Sequence, residues 1–420
     1  MKTLINVTRM CLITVLIGLT GLAWGQNGNT YNTIKGIVKD SKSKDILAFA
    51  SISVPGTNIG TVSNVDGEFT IKVQKSANGK EIEISHLGYI NKKFPINESQ
   101  RDEQIYYLDP YSISIKEVVV RPEDPRKIVM MAINKIVSNY SDVPNMMKGF
   151  YRETIKQNRD YVSISEAVVD IYKAPYGYSI DNDRVKIFKG RKSTNVKKSD
   201  TLAVKLLGGP HVSLMLDIVK NPDVLISKES ADFYTFEITD IVNINNSMNY
   251  VITFKPIVTL SYPLYYGKFY ISSEKLAFTM AEFSLDLSDE SKASQYFVRK
   301  KPLGVKFVPA STKYLVNYKE KDGKYYINYV RNEVKFACDW KRRIFKTNYS
   351  IMSEMAITER STDNIERFPS KDSFKPYTVL AEKVNEYFDE TYWGEYNTIK
   401  PYQSIEKSIE KLNKKFKKQQ

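Results

Sequence analysis

Hydrophobic and polar residues alternate along most of the chain, in short runs near the start and in longer runs further on. From residue 33 to 121 the runs are short, and Gly, Asn, Asp, Ser and Pro separate them. Alternation of period two with turn residues at this spacing is typical of a small Greek-key β-sandwich. Between residues 146 and 360 several runs exceed ten residues, whereas strands usually have about 5–6. We therefore predict a mainly β protein with some α, in which the sandwich precedes a large curved antiparallel sheet, an open half-barrel with packing helices.

Two further segments have the period of an α-helix. Residues 122–145 are predicted as a linker helix, because Asp124 can cap it and Pro125 suits its first position. Residues 361–420 are predicted as a mixed segment that ends in a basic amphipathic helix, whose apolar stripe is Ile405, Ile409, Leu412 and Phe416. Such a helix can lie on a membrane surface. We favour the alternative, in which the helix docks on the protein's own sheet.

Membrane-spanning strands are an alternative for the long alternating runs. Proteins of that kind usually finish with a closing strand. A lysine-rich helix is predicted at that position here, and this favours the open sheet.

The segment GTNIGTVSNVDGEFTIKV, residues 56–73, is the most informative motif. As a calcium loop with Gly67 at its sixth position it would begin and end at valines, where carboxylates are required. Calcium binding is therefore not expected. Instead, Asp66 and Gly67 predict a tight hairpin, in which glycine tolerates positive φ and Asp66 bonds its own turn. From Phe69 onward the alternation enters the sandwich core.

The first 25 residues predict a secretory signal peptide. Lys2 and Arg9 precede a short apolar run, and the small residues Ala23 and Gly25 come just before Gln26. A retained membrane anchor is the alternative, although the run is short for a span. We expect an exported protein of the periplasm or outer membrane, or of the cell surface.

The net charge of the chain limits the classes of partner that are expected. The formal net charge is +14, which becomes +12 when Lys2 and Arg9 are removed with the signal peptide. For an exported basic protein, anionic lipid, acidic glycan or an envelope protein are the expected partners, rather than nucleic acid. Contact with a membrane would be peripheral.

Chemistry-bearing residues are few. The chain has two histidines, His86 and His211, and neither lies in a zinc-protease motif. Cys338 has no histidine near it in sequence, so a buried structural role is expected. Nucleophile-elbow, Walker A and dinucleotide motifs do not occur. We expect a protein without catalytic residues, cofactor or metal.

Two segments raise the possibility of ligand contact. Tyr392, Trp393 and Tyr396 form an aromatic cluster that can either pack on the sheet or face a ligand. Residues 205–226, KLLGGPHVSLMLDIVKNPDVLI, predict a helix that is either a lid over the sheet or a crossover that fills the core. We favour the crossover.

The first domain resembles the carboxypeptidase-regulatory-like, or transthyretin-like, β-sandwich family. The family turn is carried by Gly56, Gly60, Asp66, Gly67, Phe69, Gly88 and Tyr89, and further matches are Gly36, Val38, Ala50, Ile52, Thr57, Thr61 and Ser85. Ser63 and Asn64 stand where the family usually has Thr-Asp. The resemblance implies a non-catalytic accessory module of exported envelope proteins, without a peptidase site.

The remainder of the chain resembles, in architecture only, the open half-barrel of periplasmic lipoprotein carriers. That resemblance implies a concave face that can shelter an acyl chain. The first functional hypothesis is thus a non-catalytic envelope protein that binds or assembles lipid, lipoprotein or an outer-membrane partner. The alternative is a surface adhesion or glycan-binding protein that uses the sandwich as a spacer.

Overall fold

A computed structural model gives the fold of most of the chain. It describes residues 30–77, 79–97, 102–111, 124–194, 206–297, 304–341, 346–363, 365–386 and 392–417. The predicted signal peptide, residues 1–25, lies outside these ranges.

The first domain is a two-sheet sandwich. Its strands are β1 Tyr31–Asp40, β2 Ser51–Ser53, β3 Gly60–Val62, β4 Glu68–Gln74, β5 Glu81–Ser85, β6 Lys92–Pro95 and β7 Gln104–Leu108. One sheet has the order β4-β1-β7 and the other β3-β2-β5-β6. Alternate side chains of both sheets, among them Val38, Ile52 and Phe69, are buried between them. The predicted sandwich is confirmed.

Two helices follow the sandwich, α1 Pro125–Asn134 and α2 Ile136–Asn139. Asp124 caps α1, since its side chain accepts a hydrogen bond from the backbone N–H of Arg126. One face of α1, which carries Ile128 and Val129, is buried against the large sheet.

The second domain is built on one large sheet. Its strands are β8 Asn145–Gln157, β9 Asp160–Lys173, β10 Arg184–Thr194, β11 Tyr234–Ile244, β12 Ser247–Pro256, β13 Tyr265–Ser272, β14 Phe278–Leu285, β15 Val305–Lys321, β16 Lys324–Trp340, β17 Thr347–Ser361 and β18 Asn385–Glu386. The order is β11-β12-β13-β14-β15-β16-β17-β8-β9-β10-β18, with β11 and β18 at the two edges. All neighbours are antiparallel except β18, which runs parallel to β10. The predicted open antiparallel sheet is confirmed.

Turn chemistry sets the register of the longest hairpin. Lys321 pairs with Lys324, so Asp322 and Gly323 form a two-residue loop between β15 and β16. Both loop residues have positive φ, 53° and 80°. Such a loop matches the twist of the flanking strands, and Asp-Gly is a sequence that favours it.

The two faces of the large sheet have different coverings. The helix-covered face carries the main core, and α1 and residues 206–226 pack on it. This crossover contains helix α3, Gly209–Met215, and buries Leu214, Ile218 and Val219. The segment therefore fills the core instead of forming a lid. The opposite, sandwich-facing face contacts the first domain, with Phe150 and Tyr329 packed near Val62.

The last residues of the chain tie the domains together. We call residues 392–402 the C-terminal strap, since they lie between the sandwich and the large sheet. Helix α4, which precedes β15, comprises Glu290–Phe297. Helix α5, which follows the strap, comprises Gln403–Lys417. Ile405 and Ile409 of α5 pack on Tyr161 and Ile164 of β9, so the start of this helix docks on the protein's own sheet. The side chains of Leu412 and Phe416 lie outside the described residues. Within the described ranges, none of the helices combines the length and apolar character needed to cross a bilayer.

Candidate binding cleft between the two domains

A row of charged side chains crosses the sandwich-facing face of the large sheet. Neighbouring strands place its members opposite one another in register. We call the following five residues the paired half of this row: Arg331, Glu354, Arg152, Glu166 and Arg191, on β16, β17, β8, β9 and β10. Positive and negative charges alternate along the paired half. Each member therefore has an oppositely charged residue opposite it on every neighbouring strand of the paired half.

Distances along the paired half are those of charge-assisted hydrogen bonds. Arg152 donates from Nε to Glu166 Oε1 at 2.7 Å and from Nη1 to Glu354 Oε1 at 3.0 Å. Arg191 Nε donates to Glu166 Oε2 at 2.9 Å, and Arg331 Nη1 to Glu354 Oε2 at 3.0 Å. Burial alone raises the pKa of the Glu166 carboxyl, but the guanidinium groups of Arg152 and Arg191 outweigh it and lower that pKa. Glu166 is therefore held as a carboxylate.

The sandwich and the strap cover the paired half. The side chain of Arg152 is 0% exposed, and its Nη2 donates to the backbone oxygen of Ile399 in the strap at 2.6 Å. Trp393 lies under the guanidinium of Arg191, 4.5 Å from ring centroid to Cζ. Phe49 of the sandwich covers Arg331 in the same way at 4.9 Å. These contacts exclude water from the ion pairs.

The other end of the same face is open. Beyond Arg331 the row continues through Leu315 and Glu282 to Lys268. A cleft of about 690 Å³ lies over these strands. We call it the interdomain cleft, since Phe49 and Val65 of the sandwich form one wall and side chains of β12–β16 form the floor.

The interdomain cleft has a positive charge. Four cationic side chains line it against two carboxylates, a formal excess of two positive charges. Glu333 pairs with Arg331, and Glu282 accepts from the hydroxyl of Tyr270 at 3.2 Å. Across the ranges that the structure describes, its lysines have no ion-pair partner; they are Lys255, Lys268 and Lys313. We call these three lysines and Glu282 the open half. Lys268 and Glu282 belong to the row itself, and Lys255 and Lys313 lie two positions from it along their strands.

Two smaller cavities lie along the same boundary between the domains, with volumes of about 220 and 270 Å³. Lys319 lines both. Burial lowers the pKa of Lys319 to about 8, because the ammonium loses its hydration there. His86 lines the smaller cavity, and both of its ring nitrogens lie 3.1 Å from backbone oxygens, those of Ala48 and Leu87. Burial lowers the pKa of His86.

The predicted hairpin residues lie at turns of the sandwich. Gly56, Gly67 and Gly88 have positive φ of 76°, 72° and 79°, and Gly60 opens β3. A Cβ on Gly67 would lie 2.9 Å from the Val38 oxygen, so a larger residue has no room there.

The expectation that Asp66 bonds its own turn is wrong. The side-chain oxygen of Asn64 takes that role, accepting from the N–H groups of Asp66 and Glu68 at 2.9 Å each. Asp66 instead accepts from the backbone N–H of Gln403, at the start of α5, at 3.2 Å. The family turn therefore contacts the end of the chain.

Two other motif residues have different surroundings. Phe69 is fully buried in the sandwich core, 5.4 Å from the ring of Tyr106. Tyr89 donates its hydroxyl hydrogen bond to Asp40 at 2.7 Å, and burial and this carboxylate raise its pKa to about 12. The backbone oxygen of Tyr89 accepts from Asn243 of β11, which connects the motif to the large sheet.

The aromatic cluster of the strap packs on the sheet. Trp393 is 7% exposed and meets Phe150 edge-on at 5.5 Å. Tyr392 donates from its hydroxyl to the Gly190 oxygen at 2.7 Å. Tyr396 contacts the ring of Phe188 at 5.2 Å. These contacts are internal, so the structure gives no support for a ligand-facing cluster here.

His211 and Cys338, two further chemistry-bearing residues, lie on different elements of the second domain. His211 lies in α3, and burial lowers its pKa. Cys338 is buried, and burial raises the pKa of its thiol to about 11. Among the described residues, no group of three or more His, Cys, Asp or Glu side chains is arranged to hold a metal ion.

A second buried charge cluster lies on the helix-covered face. Lys173 contacts Asp183 at 2.6 Å and Asp217 at 2.8 Å, and Tyr318 donates to Asp217 at 2.8 Å. Lys220 donates to the oxygen of Ala174 at 2.8 Å. These bonds fasten the crossover to the end of β9.

Glu153 is a buried carboxyl on that face without a cation beside it in the described part of the chain. It is 4% exposed, and it accepts a hydrogen bond from the hydroxyl of Tyr151 at 3.0 Å. Burial raises the pKa of Glu153 to about 8. Its strand neighbours across the sheet, Ser165 and Ser353, are neutral.

Sequence comparison supports the identity of the first domain. Residues 34–120 match the family model of the CarboxypepD_reg-like domain, so the predicted membership of that domain is confirmed. The match spans about a fifth of the 420 residues. Among curated proteins, none matches the chain significantly.

Solved structures show only distant likenesses. A DUF1329 family protein from Desulfovibrio piger has 10% identity and a TM-score of 0.25, over 58% of this chain and 96% of that one. A protein of unknown function from Bacteroides fragilis, described as membrane-associated, has 11% identity and a TM-score of 0.16, over 79% and 98%. Lipovitellin has 9% identity and a TM-score of 0.27, over 60% and 28%. TM-scores this low carry no argument on fold or function.

Proposed function

We propose that this is a non-catalytic exported envelope protein that binds an anionic amphiphile, a lipid-like molecule, in the interdomain cleft. The observation that carries the proposal is the combination of an apolar wall with lysines that form no ion pair among the described residues. Phe49 and Val65 offer apolar surface to a short acyl portion, while Lys268 and Lys313 offer ammonium groups to a phosphate or carboxylate. The volume of about 690 Å³ lies in the range of small-molecule sites.

Placement between the domains gives this site its shape. The sandwich supplies one wall and the large sheet supplies the floor, so neither domain forms the cleft alone. The family module thus acts as a cover for the sheet in this proposal. Membership of the module in a family of accessory envelope domains fits an exported binding protein without turnover.

The test measures binding of a soluble probe, dihexanoyl phosphatidic acid, by isothermal titration calorimetry. Residues 26–420 are used, because they include every described residue and omit the apolar start of the chain. We expect binding that weakens at least tenfold in Lys268→Glu/Lys313→Glu, since 1.4 kcal/mol of lost attraction is a factor of ten. The control Lys35→Glu/Lys75→Glu changes two exposed lysines of the sandwich and should bind as the original protein does.

Neutral dihexanoyl phosphatidylcholine separates charge from hydrophobicity. The proposal requires it to bind more weakly than the anionic probe. Equal affinity for both probes, or equal affinity of the charge-reversed variant and its control, would contradict the proposal.

An acidic glycan is the second candidate ligand. Tyr266 is 46% exposed and lies on the cleft floor beside Ser284 and the lysines. An exposed aromatic residue next to polar groups suits a sugar face. Binding of an acidic oligosaccharide, lost in the same charge-reversed variant, with no binding of the phosphatidic acid would support this candidate instead.

A further inference from the structure

The cavities along the domain boundary adjoin one another, because they share wall residues. Phe49, Glu282 and Leu315 line both the interdomain cleft and the cavity of about 220 Å³, which we call the inner cavity. Lys319 and Asn328 line both the inner cavity and the cavity of about 270 Å³. Phe49 of the sandwich and Leu315 of the large sheet therefore lie where the cleft meets the inner cavity.

Apolar side chains of both domains face one another across the inner cavity. Val62 and Leu87 belong to the sandwich, whereas Ile244, Met280 and Leu315 belong to the large sheet. Leu87 packs against the cluster that contains the buried side chains of Ile244 and Met280. An apolar cavity of about 150 Å³ stays dry and binds benzene. The inner cavity is larger, about 220 Å³, so it has room for a short hydrocarbon chain.

Several polar side chains of the inner cavity already bond protein groups. Asn328 Nδ2 donates to Asn317 Oδ1 at 3.1 Å, and the hydroxyl of Tyr329 donates to Glu354 Oε2 at 2.9 Å. Both ring nitrogens of His86 lie 3.1 Å from backbone oxygens. These bonds satisfy the groups without water inside the cavity, and this suits an apolar occupant.

Lys319 lies at the end of the inner cavity that is remote from the cleft. It follows Leu315 by four positions on β15, about 13 Å along a strand. Within the described ranges its ammonium makes no hydrogen bond or ion pair. Glu83, the carboxylate that acts on it, lines the cavity of about 270 Å³. Hydrocarbon packed against an ammonium removes its remaining water, which is costly. An apolar chain that enters from the cleft should therefore end before Lys319.

We propose that the inner cavity takes the hydrocarbon tail of the cleft's ligand and that Lys319 limits the length of that tail. The inference rests on the proposed function for the position of the head group at the cleft lysines. It narrows the ligand class to amphiphiles whose tail can pass between Phe49 and Leu315. Lys319 becomes a specificity-determining residue, although it lies outside the cleft.

Isothermal titration calorimetry of residues 26–420 with monoalkyl phosphates, from hexyl to tetradecyl and below their micelle concentrations, tests the inference. We expect the affinity to rise about fourfold per methylene, the effect of burying such a group. Octyl phosphate should thus bind at least tenfold more tightly than hexyl phosphate. The rise should stop once the tail reaches Lys319, because further methylenes find no apolar surface.

Two variants fill the path of the tail from opposite walls. Leu315→Trp narrows the passage on the large sheet, and Ser51→Phe fills the inner cavity from the sandwich. In both, octyl and hexyl phosphate should differ less than twofold in affinity. The control Ser76→Trp adds an aromatic side chain at an exposed position of the sandwich and should keep the full rise. Equal dependence on chain length in the filled variants and the control would reject the inference.

Lys319→Met tests the limit on length without filling any space. An apolar end to the cavity should let the affinity continue to rise at chain lengths where the original protein shows no further gain. If Lys319→Met instead weakens octyl phosphate tenfold or more, the head group binds at Lys319 and the inference is wrong. A rise that continues to tetradecyl phosphate in the original protein, and is the same in Lys319→Met, also rejects it.

Neutral octyl glucoside tells failure of this inference apart from failure of the proposed function. Phosphate probes that bind more tightly than the glucoside, but with no effect of the filled variants, would keep the cleft and reject the inner cavity. Equal affinity for both head groups, with binding that is lost in Leu315→Trp, would keep the inner cavity and reject the anionic head group. Absence of binding by every probe rejects both.

Discussion

The sandwich-facing face carries one row of charged side chains whose two halves differ in covering and in pairing. In the paired half, Arg152 and Glu166 are excluded from water, and each charge meets counter-ions on its neighbours. In the open half, Lys268 and Lys313 are exposed, and among the described residues neither forms an ion pair, although Glu282 and Glu333 lie opposite them in register. A buried charge must be paired because desolvation otherwise costs several kcal/mol, whereas a hydrated lysine needs no partner. The covered half therefore suits stability, and the open half remains free for a ligand.

The largest effect is expected from Arg152→Met. The change removes the central cation while nearly keeping the volume, and it leaves Glu166 and Glu354 buried with fewer counter-ions. We expect a loss of about 3–5 kcal/mol in the free energy of unfolding, measured by denaturant titration. Lys268→Met in the open half is the control and should change stability by about 0.5 kcal/mol or less. Similar losses in both variants would remove the distinction between the halves.

Glu153→Gln tests the buried carboxyl that has no cation beside it in the described part of the chain. Its result is to be compared with that for the paired carboxyl of Glu166. The pKa of Glu153 is raised to about 8 in the fold, above the ordinary value of about 4.3. Its contribution to stability is thus fully present at low pH and is lost between about pH 4 and 8, by about 1.4 kcal/mol per pH unit. The variant should match the original protein near pH 4 and be more stable at pH 8 in thermal unfolding.

Glu166→Gln should behave in the opposite way. The pKa of Glu166 is lowered, so its contribution is present above the ordinary value and is lost as the pH falls. The variant should be less stable at pH 8, and the difference should shrink in acid. The same pH dependence for both variants would contradict the assignment of paired and unpaired carboxyls.

Asn397→Ala tests the cover over the paired half. Asn397 accepts from the N–H of Lys72 at 2.7 Å and donates to the Lys72 oxygen at 3.0 Å, joining the strap to β4. Removing a buried side chain that makes two hydrogen bonds should cost about 1–3 kcal/mol in the free energy of unfolding. Ser76→Ala, at an exposed position of the sandwich, is the control. An unchanged denaturation midpoint would show that the strap does not stabilise the domain contact.

The smallest effect on stability is expected in the open half. Lys268→Gln and Lys313→Gln remove exposed charges that form no ion pair within the part of the chain that the structure describes, so the free energy of unfolding should change by about 0.5 kcal/mol or less. Binding of the phosphatidic acid probe should still weaken in both. A large loss of stability would show that these lysines belong to the scaffold.

Sequence patterns predicted the sandwich and the long sheet because both depend on local alternation and turn residues. Asp322 and Gly323 fix a hairpin by their own conformational preferences. The charged row offers no such local signal. Arg152 and Glu354 are 202 positions apart, and each occupies a position that alternation would assign to solvent. Their contact depends on strand order and register, which a single sequence does not reveal.

The cleft could not be predicted from the sequence either, because it depends on contacts between distant parts of the chain. Phe49 and Lys313 belong to different domains, and only the docking of the sandwich places them around one space. One contact of the family turn bears on the docking of the sandwich but not on the cleft: Asp66 bonds Gln403 of α5, because Asn64 already satisfies that turn.

The contacts of the strap join parts of the chain that are synthesised far apart in time. Asn397 lies 325 positions after Lys72, and Gln403 lies 337 positions after Asp66. A newly made chain can complete the sandwich early, yet these contacts cannot form until residues 397 and 403 have been synthesised. Contacts of such long sequence separation form slowly. The paired half therefore stays accessible to water until the strap has been synthesised, and a product that stops before residue 392 would lack the residues that cover Arg152 and Arg191.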